Sequence, residues 1–162
     1  MILGMSLSTF TLVHVLLSLI GIFTGLVVVY GFVKGRLLGG WNGVFLVTTI
    51  LTSVTGFLFH SAQFGPPHFV GIISLVLLGF SVAALYAFNL AGPWRWIYAA
   101  TATLALYLNV FVGVVQSFQK IAFLQPLAPT QSEPPFAVAQ GLVLVIFLAL
   151  TVLASKRLRA VR

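Results

Sequence analysis

Five stretches of this chain, 7–33, 44–62, 69–90, 96–118 and 136–154, contain no Lys, Arg, Asp or Glu at all. No other feature constrains its folding as strongly. A helix rises 1.5 Å per residue, so about 20 mainly apolar residues cross a hydrocarbon core roughly 30 Å thick. Lipid offers the backbone no hydrogen-bond partners, so segments of this kind must satisfy their N–H and C=O groups internally, as helices do. The pattern predicts an all-α fold, an integral membrane helical bundle with five transmembrane helices forming a single domain over residues 1–162. Composition agrees: 60% of residues are hydrophobic and 6% charged, against about a quarter charged in soluble domains.

The connections KGRLLGGWN, QFGPPH, AGPWR and QKIAFLQPLAPTQSEPP all carry Gly or Pro, which punctuate helices. The start, MILGMSLSTF, has no basic n-region, so the first apolar run reads as a retained span rather than a signal peptide. In a soluble protein a net charge of +7 would suggest nucleic acid. Here the basic residues fall in connections and at the C-terminus, so they report topology, and no nucleic-acid partner is expected. If the spans alternate, Lys34, Arg36, Arg95, Lys156, Arg157, Arg159 and Arg162 share one side, while Lys120 and Glu133, the single acid, occupy the other. The positive-inside rule then places the protein in a bacterial inner membrane, N-terminus outside and C-terminus in the cytoplasm. Trp41, Trp94 and Trp96 would anchor the inner interface.

A weak internal similarity links residues 17–32 to 73–88, which share a Ser and a Tyr-x-Phe ending. Gly56 and Gly113 correspond at nearly the same offset. Such a repeat would make two parallel helical hairpins plus a fifth helix.

Polar and small residues are not scattered. Thr11, His14, Ser18, Gly21 and Gly25 recur every three or four residues, and so do Thr49, Ser53, Gly56, His60 and Gln63. The fourth segment offers Asn109, Gly113, Gln116 and Lys120. Membrane helices turn such stripes toward one another, with Gly21, Gly25, Gly56 and Gly113 as candidate packing positions. With alternating spans, the three histidines, His14, His60 and His68, all lie in the outer half. Gln63, Gln116, Glu133 and Gln140 would gather around them, and the inner half holds no comparable collection.

Three imidazoles and one carboxylate suit a divalent metal such as zinc, copper or iron. Axial histidines on facing helices, with glycines making room, would suit haem b. In either case His14, His60 and His68 are the ligand candidates, with Gln63, Gln116, Glu133 and Gln140 as supporting or capping groups. No two histidines have the i, i+3 or i, i+4 spacing that puts both ligands on one helix face. Catalytic residues are not identifiable: H-E-x-x-H and G-x-S-x-G are absent, and no acid lies in a span. No cysteine is present to supply a thiolate.

The sequence therefore supports a metal- or haem-binding accessory protein. The alternatives are a structural or assembly subunit of a larger membrane complex that holds no ligand, and a small membrane oxidoreductase using haem and quinone. The stretch YLNVFVGVVQSFQKIAFLQPLAPTQSEPPFAVAQGLVLVIF, residues 107–147, resembles a group of small multi-pass bacterial inner-membrane proteins of unknown function. A looser similarity reaches haem-oxidase assembly factors. What the resemblance implies is that the APTQSEPPF loop is a family feature, which draws attention to Gln131, Glu133 and Gln140.

Overall fold

The structure is a computed structural model that describes residues 2–59 and 64–160. It holds five α-helices and no sheet among the described residues: α1 (Leu7–Val33), α2 (Gly39–Gly56), α3 (Pro66–Val82), α4 (Trp94–Lys120) and α5 (Pro134–Arg159). A single π-helical turn, Ala83–Ala87, prolongs α3, and a 3-10 turn, Gln125–Leu127, lies between α4 and α5.

Four helices are long and apolar enough to cross a membrane: α1, α3 with its π turn, α4 and α5. The second expected span is realised differently. It begins at Gly39 rather than Val44, and α2 ends at Gly56. The candidates His60 and Gln63 lie outside the described residues. Hydroxyl side chains explain why α2 is less apolar than its neighbours. Thr48, Thr52, Ser53 and Thr55 each donate to the carbonyl four residues back, at 2.7–3.0 Å. Such bonds let a hydroxyl enter an apolar environment without an orphaned proton.

Several helix termini have a local cause. Ser6 Oγ accepts the Thr9 N–H and caps α1. At the other end Gly35 takes φ 68°, while its N–H reaches Phe32 O and the Arg36 N–H reaches Gly31 O at 2.8 Å. That left-handed closure favours a residue without Cβ. Pro66 and Pro67 start α3, and Pro134 and Pro135 start α5, since proline sacrifices only N–H groups that would be orphaned there anyway. Between α3 and α4 the chain reverses through Asn89, Leu90 and Gly92, all at positive φ, while Phe88 stacks on Trp94 at 3.8 Å.

Helix α4 is the centre of the bundle and touches all four others; α1 also packs on α2 and α5, and α3 on α2. Small residues permit this. Ala84, Ala99, Ala102, Ala105 and Ala154 have no exposed surface, and Phe32, Phe45, Tyr98 and Leu106 fill the space around them. At Gly25 an added Cβ would lie 2.6 Å from Leu106 Cδ1 and 2.8 Å from Phe45. At Gly25, side chains of both α2 and α4 crowd against α1.

Candidate functional site

Helices α1, α2 and α4 do turn their polar stripes toward one another. Near the middle of the bundle, Ser18 Oγ donates to Asn109 Oδ1 at 2.7 Å. One turn along, a Cβ at Gly21 would meet Thr49 Oγ1 at 3.0 Å, Asn109 Nδ2 at 3.1 Å and Thr48 Oγ1 at 3.3 Å. Helix α2 also reaches α3, with Ser53 and Ser74 hydroxyls 3.0 Å apart, and α3 reaches α4 through Ser81 and Thr101 at 2.8 Å.

His14 meets α2 through a residue that the sequence did not single out. Its Nδ1 lies 2.8 Å from Thr55 Oγ1, and its ring sits edge-on to Phe59 with centroids 5.1 Å apart. The Thr55 hydroxyl proton is already committed to Leu51 O at 2.7 Å. With the hydroxyl proton on Leu51 O, Thr55 Oγ1 accepts from His14 and Nδ1 carries the proton. A neutral ring in that tautomer has its lone pair on Nε2. Holding one nitrogen as a donor so that the other presents a lone pair is how ligating histidines are oriented.

His68 is held the opposite way. Its Nδ1 accepts the Gly65 N–H at 3.0 Å, which secures the start of α3, and its ring stacks on Phe64 at 4.7 Å. With the Nδ1 lone pair taken, the neutral ring has its proton on Nε2 and acts there as a donor. Glu133 is occupied as well. Its Oε1 accepts from the Thr130 N–H and Oγ1, and its Oε2 from the Ser132 N–H. Desolvation nudges this carboxyl upward, but the hydrogen bonds from Thr130 and Ser132 outweigh it and hold the group below its ordinary value. Glu133 thus folds the loop before α5 rather than reaching toward His14.

The remaining candidates divide. Gln140 Nε2 donates to Phe111 O at 3.1 Å, joining α5 to α4, while its Oε1 is buried without a partner. Gln116 is exposed. Gln131 crosses back to Val115 O at 3.2 Å, and Gln125 to Gln119 O at 2.6 Å, so the loop after α4 is tied down to it. Gly21 and Gly25 are close-approach positions. By contrast, among the described residues a Cβ at Gly113 would meet only Ile22 at 3.6 Å, and one at Gly56 only His14 Cε1 at 3.8 Å. Gly71 was missed; a Cβ there would lie 2.8 Å from the Phe57 ring.

Among the described residues, no three His, Cys, Asp or Glu side chains come together as a metal-binding group. The end of the bundle away from His14 also holds a buried polar pair. Tyr98 donates to Asn42 Oδ1 at 2.6 Å, both residues are buried, and Asn42 Nδ2 donates to Leu38 O. An asparagine in the first turn of an apolar helix, beside Trp41, was the available signal for this pair. Comparison with known proteins gave no match: no family model fits the chain, and no curated protein or solved structure is similar to it.

Proposed function

We propose that this chain is a five-span protein of the bacterial inner membrane, N-terminus outside and C-terminus cytoplasmic, that serves as an accessory protein holding a ligand on His14. In this reading α2 crosses the membrane with the other four, its hydroxyls internally bonded. The observation that carries the reading is the His14–Thr55 hydrogen bond, which leaves an imidazole lone pair on Nε2 in the outer half of the bundle. A neutral nitrogen donor in an apolar setting suits a haem iron or a divalent metal. His60 is the remaining candidate for a second ligand, because the His68 and Glu133 lone pairs face their own loops. No reaction step is assigned to the protein.

A second reading, a subunit that packs against partners and holds no ligand, is favoured by one specific fact. The same His14–Thr55 bond joins α1 to α2, so His14 has a structural use without any ligand. Protein purified in mild detergent without a polyhistidine tag separates the two, through a visible spectrum and elemental analysis of one sample. The ligand reading expects a Soret band or a stoichiometric metal in the wild type, absent from a folded His14→Ala protein. Colourless, metal-free wild type whose thermal stability drops on His14→Ala would overturn it in favour of the packing subunit.

A further inference from the structure

The ends of α1 and α5 enclose a cleft of about 470 Å³, lined by Val33, Lys34, Gly35, Arg157 and Ala160. We propose that it binds the phosphate headgroup of an anionic phospholipid. At roughly 30 Å³ per water molecule, the cleft has room for far more than one small ion. It also lies at the ends of two apolar helices, where headgroups are found.

Charge decides what it accepts. Lys34, Arg36, Lys156, Arg157 and Arg159 sit on the last turns of α1 and α5 or just beyond them. Two helix C-termini oppose an anion with about half a negative charge each. Lys34 and Arg157 in the lining outweigh that by themselves, and the other three cations lie on the adjoining turns. The opposition from α1 is weaker still, because the N–H groups of Lys34, Gly35 and Arg36 already occupy the Tyr30, Gly31 and Phe32 carbonyls. The chain's single acid, Glu133, begins the same helix whose far end bears Arg157. At 1.5 Å per residue, the helix separates them by about 36 Å. Over that distance its pull is far weaker than that of the cations lining the cleft, so Glu133 leaves the cleft cationic. Lys34 Nζ lies 5.7 Å from the Tyr30 ring centroid, which steadies the ammonium at the end of α1. Basic pockets between membrane helices on the cytoplasmic side are suited to acidic lipid headgroups. The cleft is cationic in either leaflet; its cytoplasmic placement rests on the orientation proposed above.

The test uses full-length protein in nanodiscs of equal phosphatidylglycerol and phosphatidylcholine, with the lipids that stay bound on release counted by native mass spectrometry. Wild type should retain phosphatidylglycerol preferentially. Lys34→Gln and Arg157→Gln should each cut that preference about five-fold, in line with the free energy expected per basic residue at an anionic surface. Lys120→Gln, at the opposite end, should leave it unchanged. The charge-preserving pair Lys34→Arg and Arg157→Lys should keep the preference, which guards against a misfolded variant. Equal retention of both lipids by the wild type, or an equal loss on Lys120→Gln, overturns the proposal. So does displacement of phosphatidylglycerol by millimolar inorganic phosphate, which would mark a site for the soluble ion.

Discussion

At the scale of single residues, two threonines on α2 show how neighbouring hydroxyls acquire opposite roles. Thr55 donates a hydrogen bond to Leu51 O and accepts one from His14 Nδ1. Thr49 Oγ1 is buried, has no hydrogen-bond partner and lies against Gly21. Interhelical hydrogen bonds in membranes contribute about 1 kcal/mol, whereas an unpaired buried hydroxyl costs free energy that an apolar group of the same shape does not. Thr55→Val should therefore lower stability by about 1 kcal/mol, because the His14 N–H loses its acceptor. Thr49→Val should be neutral or stabilising. Thermal unfolding of both variants in one detergent checks the pair. Equal destabilisation would mean that the roles of these hydroxyls are misassigned.

Helices meet where side chains are smallest, and at this scale the sequence could be read only in part. A glycine stripe on 7–33 announces close approach, but not which glycine is closest. Gly25 faces Leu106 and Phe45 with no space for a methyl group, while Gly113 has open room toward Ile22. Gly25→Ala should destabilise by about 1–3 kcal/mol through overpacking. Gly113→Ala should be neutral or gain up to about 1 kcal/mol from helix propensity. Chemical denaturation in detergent would show the contrast, and a comparable loss at both positions would contradict this geometry. Four long apolar helices were legible because hydropathy needs no knowledge of neighbours. The start of α2 was not, since Gly39, Gly40 and Gly43 read as a connection and yet are wound into the helix. The partner of His14 was hidden for a different reason. Placing Thr55 against His14 requires the rotation of α2 about its axis, which tertiary packing sets and periodicity alone does not.

For the whole molecule, the proposed topology depends on α2 crossing the membrane. Only an odd number of crossings between the first and last helix puts His14, the start of α3 and the loop after α4 on one face, with the basic ends of α1 and α5 on the other. The chain has no cysteine, so single cysteines can be introduced and probed in intact cells with a membrane-impermeant thiol reagent. Met5→Cys, Phe64→Cys and Thr130→Cys should react from outside. Leu37→Cys, Ala91→Cys and Ala160→Cys should react only after the membrane is permeabilised. The decisive comparison is Leu37→Cys with Phe64→Cys, which flank α2. The two cysteines should be reached from opposite sides. If both react from the same side, α2 does not span, and the outer face on which His14 and His68 are placed does not exist.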